Sequence, residues 1–339
     1  MTRSGPELCQ FSDESLYLPG ADLWLDARQP RARAFVSHAH TDHLGLGPNG
    51  EAHALVMCTP ETGGLIAALM PYGAPVPPIA PLPLHHSTEA GDCRLTALPS
   101  GHILGSAMLL VESGRGRLLY AGDVRLSGSV TCPPAEPAHA DHLIVEDTFG
   151  ALDATFAAAS DGARRVLEFC RDAQDRGQTP VLVTTSNCGK AQDMVAALAG
   201  AGLRVGLQPK LFRCTEAYRE LGVPLTGYAK VKLADRGGGI PCDEVDCILV
   251  TCGFLNFKPD LADYVDNPSM ALVSGWAAQD DERRDYDAAI PWSDHASRDD
   301  LLHLIRLVSP SLVWTFAGQG ALARDLRAQG IEARHLGGI

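Results

Sequence analysis

Four side chains that commonly bind metal ions occur within six residues near the start of the chain. They are His38, His40, Asp42 and His43, and they follow the apolar run Ala34 to Val36, which is typical of a buried strand. A loop that leaves a strand can turn several side chains towards one point, whereas a helix would spread them around its axis. Imidazoles suit zinc, and imidazoles mixed with carboxylates can hold two divalent ions. The spacing therefore predicts a metal site rather than a solvated polar loop.

Three further candidate ligands follow other apolar runs. Asp26 follows Leu23 to Leu25, His102 lies in the glycine-containing segment 100–106, and Asp123 follows Leu118 to Tyr120. Each of them alone is more often a turn or capping residue than a ligand. Their occurrence at successive strand ends, together with the histidine cluster, predicts that they converge on the same site.

Secondary structure can be placed around these residues from the apolar pattern. The first 150 residues contain short apolar runs that end in Gly, Asp, Ser or His, which is typical of buried strands. After residue 156 strands and helices alternate, which indicates a parallel sheet flanked by helices. We predict helices at 60–70, 157–176, 190–198, 301–308 and 322–329, and strands at 23–25, 34–36, 108–111, 118–120, 143–145, 181–184, 205–207 and 312–316.

Composition limits the class of protein. The 339 residues suggest about two domains, at roughly 150 residues per domain. A hydrophobic content of 45% and a charged content of 20% exclude a disordered, collagenous or coiled-coil chain. The net charge of −13 argues against a basic, nonspecific nucleic-acid coat protein but leaves room for an enzyme with a local basic groove.

Cysteines and apolar segments bear on location. The ten cysteines are scattered and form no C-x-x-C pair, which favours reduced, buried thiols. The first ten residues have no apolar stretch of the kind found in signal peptides. Residues 62–84 carry no Asp, Glu, Lys or Arg, but six prolines within 71–83 exclude a spanning helix. We therefore expect a cytoplasmic protein that does not enter a membrane.

The order of these candidate ligands resembles that of the metallo-β-lactamase superfamily. The resemblance implies an α/β fold, an αββα sandwich with a dinuclear metal site. It places His38, His40 and His102 on one metal ion, and Asp42 and His43 on the other, with Asp123 bridging. Asp26 would lie behind the ligands and position their loop. The implied cofactors are two divalent ions, zinc or manganese.

Two further motifs are similar to those of the β-CASP branch, whose members cut nucleic acids. They are Glu146 in the segment 145–150 and His295 in Ser293-Asp294-His295-Ala296. The residues between them match the size of the inserted β-CASP cap domain. The implied division is a metallo-β-lactamase domain, 1–155 and 288–339, with an α/β cap at 156–287. The segments 18–23, 189–192 and 274–276 are most similar to bacterial ligase-associated DNA exonucleases.

The resemblance also implies a mechanism. Asp42, His295 and Glu146 would be the catalytic residues of phosphodiester hydrolysis. His295 would act near the leaving oxygen, as a proton donor or a phosphate ligand, and Glu146 would fix its tautomer. The alternatives are a structural histidine and an ordinary strand-end glutamate.

One position departs from the family pattern. Thr315-Phe316-Ala317-Gly318 matches a motif in which many members carry a histidine at the third place. Alanine cannot bind a metal, so Ala317 predicts a weaker second metal site. The departure resembles the DNA-cutting members, which carry valine there, and it also makes a weakly active relative conceivable.

Basic residues are concentrated in one segment. Residues 204–236 contain seven Lys and Arg against three Asp and Glu, a net charge of +4, while the rest of the chain carries −17. Lys210 and Arg213 in this segment, and Lys190 at a predicted helix start, are candidate substrate contacts. A solvated charged face, and a surface lysine at position 190, remain open as alternatives.

Together these features predict a metal-dependent nuclease, a DNA exonuclease in repair, with nucleic acid as its partner and a DNA ligase or helicase as possible associates. The first alternative is an RNA-processing nuclease of the same fold. The others are a weakly active or nonenzymatic nucleic-acid-binding relative, and a hydrolase of small esters, against which the β-CASP motifs speak.

Overall fold

The computed structural model describes residues 8–12, 15–70, 74–151, 156, 159–233, 239–255, 261–279 and 285–337. The chain divides into two compact units. The first unit comprises Met1–Gly128, Cys132–Thr155 and His295–Ile339, and the second comprises Ser129–Thr131 and Phe156–Asp294. In the described part of the chain, no helix has the length and apolar character needed to cross a membrane.

Strands make up three sheets. In chain order they are β1 (Gln10–Ser12), β2 (Ser15–Leu18), β3 (Leu23–Leu25), β4 (Ala34–Phe35), β5 (Val56–Cys58), β6 (Ile79–Pro81), β7 (Ser87–Ala90), β8 (Cys93–Pro99), β9 (Ala107–Ser113), β10 (Gly116–Tyr120), β11 (His142–Glu146), β12 (Thr179–Thr184), β13 (Val205–Leu207), β14 (Tyr228–Lys230), β15 (Cys247–Thr251), β16 (Pro268–Val273), β17 (Ala288–Ile290), β18 (Leu312–Phe316) and β19 (Ala333–His335).

The α-helices lie between these strands. They are α1 (Pro60–Leu69), α2 (Ala159–Asp175), α3 (Lys190–Gly200), α4 (Pro209–Glu220), α5 (Cys252–Leu255), α6 (Arg298–Val308) and α7 (Ala321–Ala328). Local sequence explains several helix starts. Thr59 accepts a hydrogen bond from the backbone N–H of Thr62 before α1, and Ser297 and Asp300 form a reciprocal capping box at the start of α6.

The first unit contains two of the sheets. One has the order β1-β2-β3-β4-β5-β6, and the other has the order β19-β18-β11-β10-β9-β8-β7. Their inner faces share one apolar core, in which Leu16, Leu25 and Phe35 of the first sheet cluster with Leu109 and Ile144 of the second. The other face of the second sheet packs against α6 and α7. Burial of these two faces stabilises the unit because it removes apolar surface from water.

Strand direction in the second sheet brings four chain segments together. Strands β10, β11 and β18 are parallel neighbours. Strand β9 runs antiparallel to β10, and β8 runs antiparallel to β9, so β8 has the same direction as β10. The carboxyl ends of β8, β10, β11 and β18 therefore lie along one edge of the sheet.

The second unit is built on the third sheet, in which every pairing between named strands is parallel. Its order is β14-β13-β15-β12-β16-β17. The central strands are mostly apolar, and Val181, Val183, Ile248 and Val250 are all buried. Such continuous apolar strands are expected where helices cover both faces of a parallel sheet. Helices α2, α3 and α4 supply such cover.

The sequence prediction of a mixed α/β protein is confirmed. Most predicted elements match within two residues, although the positions 157 and 158 of the predicted helix lie outside the described residues. The helix α4 and the strands β15 and β16 were not predicted. The second unit extends to Asp294, and β17 pairs with β16 in its sheet. The cap bounds 156–287 stay a prediction.

Candidate metal centre

The predicted ligands of the first unit come together at the ends of strands from both of its sheets. The loop after β4 carries His38 and His40 and continues into a 3-10 turn at Thr41–His43. In the other sheet, the loop after β8 carries His102 and the loop after β10 carries Asp123. These two loops are far from the β4 loop in the sequence. They lie at the same edge of the second sheet, and this edge faces the β4 loop, so the three segments meet there.

One carboxylate oxygen lies at the middle of the cluster. Asp123 Oδ2 is 3.5 Å from His38 Nε2, 3.6 Å from His43 Nε2 and 3.6 Å from His102 Nε2. His40 Nδ1 lies 3.1 Å from His102 Nε2. One ligand atom from each of His38, His40, His102 and Asp123 falls within 4.8 Å of all the others. That separation is suited to a single ion placed between them.

The ring of His38 has a free coordinating atom in a buried position. The residue is 0% exposed, and its Nε2 makes no hydrogen bond, while its Nδ1 lies 3.0 Å from Ser37 Oγ. Burial and the neighbouring imidazoles of His43 and His102 lower the pKa of His38 well below its usual value. The neutral imidazole is the form that binds a metal. A buried nitrogen without a hydrogen bond is unfavourable unless it has such a ligand.

Carboxylates dominate the electrostatics around His43. Burial lowers the pKa of His43, but the carboxylates of Asp123 and Asp26 outweigh it and raise the pKa to about 10. Burial also raises the pKa of Asp123 to about 7, aided by Glu146 and opposed by His43. The cluster thus concentrates groups that compete for protons, and a divalent cation would satisfy them together.

Asp26 supports the ligand loop through several hydrogen bonds. Its Oδ1 accepts from the Ser37 backbone N–H at 2.7 Å. Its Oδ2 accepts from Ser37 Oγ at 2.5 Å and Tyr120 Oη at 2.7 Å, and it lies 3.0 Å from His43 Nδ1. These contacts hold the start of the loop and the orientation of the His43 ring.

A glycine allows Asp123 to approach the loop. Gly122 has a φ of +56°, and a Cβ placed on it would meet Ser37 Oγ at 2.9 Å. Any other residue would strain the backbone and press against the loop that carries His38. Gly122 therefore sets how closely β10 and the ligand loop approach each other.

His295 and Glu146 form a second pair beside the cluster. His295 Nδ1 lies 2.7 Å from Glu146 Oε2 and 3.9 Å from Asp123 Oδ2. Glu146 is the last residue of β11 and is 0% exposed, and its other oxygen accepts from the Val124 backbone N–H at 2.9 Å. With Nδ1 donating to this carboxylate, the Nε2 atom of His295 can act as a base or an acid.

A cavity of about 270 Å³ opens beside these groups. Asp42 lies at it with 80% of its side chain exposed, and its Oδ2 is 3.7 Å from His43 Nε2. Ala317 also lines it, directly after β18. The lining residues are Asp26, Arg28, Asp42, His43, Tyr120, Asp123, Thr148, His295, Phe316 and Ala317.

Sequence reasoning missed some of these residues. Tyr120 and Ser37 belong to motifs that were singled out, yet only the structure shows their hydrogen bonds to Asp26. Arg28 and Thr148 line the cavity, and neither had a signal beyond its position next to a motif residue. Contacts of this kind depend on which strands become neighbours, so no spacing rule could have identified them.

The candidate substrate contacts lie in the second unit. Lys190 opens α3 but is 1% exposed, and its Nζ is 3.5 Å from Asp294 Oδ1. Lys190 is therefore not a surface lysine, and its role as a substrate contact stays a prediction. Lys210 and Arg213 lie on the first turns of α4, and both line a separate cavity with Lys230.

The chain is similar to several known proteins, although no family model matches the sequence. It is 32% identical to the "Probable DNA ligase" of Opitutus terrae over 337 residues, which are 95% of this chain and 30% of that protein. It is 28% identical to the "5′ exonuclease Apollo" of Gallus gallus, over 86% of this chain and 60% of that protein. The chain thus spans less than two thirds of the length of either relative.

A third relative matches a shorter part. The "Endoribonuclease YSH1" of Kluyveromyces lactis is 30% identical over 34% of this chain and 15% of that protein. Among solved structures, a protein of unknown function from Enterococcus faecalis superposes with a TM-score of 0.56 at 16% identity, covering 83% of this chain and 74% of that one. That likeness extends to the fold alone.

Proposed function

The chain belongs to the β-CASP branch of the metallo-β-lactamase superfamily, and from this premise we propose that it is a metal-dependent nuclease that hydrolyses phosphodiester bonds in DNA. One observation carries the proposal: His38, His40, His43 and His102 surround the carboxylate of Asp123, next to the pair His295–Glu146. In this proposal the first unit is the αββα sandwich and the second unit is the cap.

The residues present fit a pair of divalent ions. His38, His40 and His102 would hold one ion, Asp42 and His43 the other, and Asp123 would bridge them. The buried Nε2 of His38, which makes no hydrogen bond, supports this assignment, as does the exposure of Asp42 towards the cavity. Such a pair would polarise a phosphate and lower the pKa of a bound water.

The protein's own groups would position and protonate the substrate. Glu146 accepts the Nδ1 proton of His295 and thereby keeps that ring in one tautomer. When the ring is protonated on both nitrogens, Nδ1–H stays bonded to Glu146 and Nε2–H could deliver its proton to the leaving oxygen. Asp26 holds the ligand loop from behind, and Arg28 is exposed at the cavity, where it could bind a phosphate oxygen.

DNA is favoured over RNA by the extent of the similarity. The match to the protein named as a DNA ligase covers nearly the whole chain, and the match to Apollo covers most of it, whereas the match to the endoribonuclease covers about a third. A homologous segment within a protein named as a DNA ligase also supports a role in repair beside a ligase. An RNA-processing nuclease is the alternative, supported by the endoribonuclease match.

Parallel nuclease assays test the substrate. With zinc or manganese present, we expect the purified chain to shorten a labelled single- or double-stranded DNA, and to act more slowly on RNA of the same sequence. The chelator EDTA should abolish both reactions, because the reactive groups are assembled around metal ligands. Faster cleavage of RNA would favour the alternative, and cleavage that persists in EDTA would contradict the proposed mechanism.

Replacement of Ala317 by histidine tests the second metal position. We expect wild type to bind one zinc ion tightly and a second ion more weakly, since alanine supplies no ligand. Ala317 has a φ of +54°, and histidine is among the residues enriched in this left-handed conformation, so the backbone should tolerate Ala317→His. The variant should bind the second ion more tightly in a calorimetric titration.

The matched control for this variant is Ala317→Asn. Asparagine also tolerates a positive φ but provides no imidazole. Two equally tight sites in wild type, or the same titration for Ala317→His and wild type, would mean that another residue already fills the position.

A further inference from the structure

The second unit contains a cavity of about 400 Å³ that the proposed chemistry does not use. It is lined by Pro209, Lys210, Phe212, Arg213 and Lys230. The first four residues belong to the beginning of α4, which directly follows β13, and Lys230 ends the neighbouring strand β14. The cavity thus lies at the carboxyl ends of two parallel strands, the edge where open α/β sheets bind ligands.

The cavity carries three positively charged side chains. Within the described part of the chain, the side chains of Lys210, Arg213 and Lys230 form no ion pair or hydrogen bond with another residue. By contrast, Arg219 on the same helix lies 2.8 Å from Glu216. Three cations around one concave surface give a protein of net charge −13 a local positive patch, which favours an anionic ligand.

An aromatic ring is held among these cations. The half-buried ring of Phe212 meets that of Tyr228 in a T-shaped contact, with centroids 5.9 Å apart. The hydroxyl of Tyr228 donates a hydrogen bond of 2.5 Å to Glu216. Glu216 also accepts from Arg219, so Tyr228 is fixed in place and in turn orients Phe212. The ring is therefore positioned before any ligand arrives.

The start of α4 is fixed as well. Gln208, which precedes the helix, is 3% exposed. Its side-chain amide donates to Thr251 Oγ1 at 3.1 Å and to Asn187 Oδ1 at 3.2 Å, and its oxygen accepts from the Thr251 backbone N–H at 3.3 Å. These bonds anchor the first turn of α4 to β15 and to the loop after β12. The cations and the ring thus stand on rigid elements rather than on a loose surface.

We propose that this cavity, formed by Lys210, Phe212, Arg213 and Lys230, binds single-stranded DNA, with its phosphates on the cations and one base stacked on Phe212. Proteins bind single-stranded nucleic acids with basic side chains placed along the phosphate backbone and with aromatic rings on which the bases stack. A duplex keeps its bases stacked inside, so it cannot place one on this ring. An acidic peptide could satisfy the cations but would leave the ring unused.

The inference rests on the proposed function for the choice of DNA, but binding can be measured without hydrolysis. The experiment is fluorescence anisotropy of a labelled oligothymidylate of about ten nucleotides, a length within the usual site size. Wild-type protein is titrated in EDTA, so that no cleavage occurs. The same titration is repeated with a duplex of equal length and with polyglutamate, each as a competitor.

Charge variants test the binding of phosphates. In Lys210→Gln, Arg213→Gln and Lys230→Gln, we expect weaker binding and a shallower salt dependence. The slope of log K against log salt should decrease by about 0.7 for each cation that no longer neutralises a phosphate. The matched control is Arg171→Gln, which removes one exposed cation from α2 of the same unit. It should leave binding and the salt slope at the wild-type values.

Phe212→Leu tests the stacked base. Leucine keeps an apolar side chain in the cavity but has no aromatic face, so we expect binding of the single strand to weaken at least about fivefold while the salt slope stays unchanged. Phe212→Tyr, which keeps the face, should restore most of the binding. Circular dichroism confirms that each variant is folded.

The outcomes separate this inference from the proposed function. Unchanged binding in the Phe212 and charge variants, or competition by the duplex or polyglutamate as strong as by the single strand, would overturn the inference. Metal-dependent cleavage of DNA by wild type could still be observed in that case. Conversely, the protein could bind the single strand through Phe212 and yet cut no DNA. That result would support the binding site in this cavity and contradict the proposed nuclease function.

Discussion

The double variant His38→Ala with His40→Ala is expected to lose tightly bound metal and all detectable hydrolysis. Both imidazoles belong to the group of ligand atoms that lie within 4.8 Å of one another, and His38 Nε2 makes no hydrogen bond that could compensate. Removal of two ligands leaves His102 and Asp123, too few to offset the hydration that an ion loses on binding. Elemental analysis should find one to two zinc or manganese ions per chain in wild type and none in the variant.

A second double variant controls for the loss of two histidines. His139 and His303 are both exposed, and His139→Ala with His303→Ala should keep the metal content and activity of wild type. Circular dichroism checks that both variants fold. If well-folded wild type contains no metal, and none binds when it is added, the assignment of the site is wrong.

The second large effect is expected for His295→Ala. The variant should keep most of its metal, because all six predicted ligands remain, yet its rate should fall by about 10² to 10⁴, the usual contribution of a positioned general acid. The structure explains why the rate should fall while the metal stays bound: His295 Nδ1 is 2.7 Å from Glu146 Oε2 and 3.9 Å from Asp123 Oδ2. The ring is thus oriented mainly by Glu146.

Two measurements make this expectation specific. A substrate whose leaving group needs no proton should lose much less rate in His295→Ala than DNA does, since an acid is not required for it. Metal content should be measured on the same preparation. Unchanged turnover of DNA would remove His295 from the mechanism, and loss of metal together with activity would make His295 a ligand instead of an acid.

Local patterns were sufficient for much of the fold. The strand Leu23–Leu25, the strand Val205–Leu207 and the strand Leu312–Phe316 were predicted with the bounds that the structure has. Short apolar runs between turn residues specify such strands locally, because most of their residues are buried. By contrast, α4 was not predicted. It has few apolar residues, and packing of Leu211, Cys214 and Tyr218 against the rest of the unit supports it.

The residue types of the candidate site were also available from the sequence, because metal chemistry restricts them to imidazoles and carboxylates. The cluster at residues 38–43 is contiguous, so its spacing was a direct signal, and Asp26, His102, Asp123, Glu146 and His295 were identified by their order and by the motifs around them. Lys190 shows the limit of this approach. A lysine at a helix start resembled a phosphate contact, but its burial and its ion pair with Asp294 appear only in the folded unit.

Only the tertiary structure decided how these groups are arranged. Strands β8, β10, β11 and β18 run in the same direction, so the loops that follow them, with residues between positions 102 and 317, lie at one edge of the sheet. Pairing between strands that are distant in the chain leaves no periodic pattern in the sequence. The contacts of Tyr120 with Asp26 and of Phe212 with Tyr228 arise in the same way. Residue type determines which atoms are able to bind a metal ion or a base. Packing determines the distances between these atoms and their burial, and therefore whether they can act as one site.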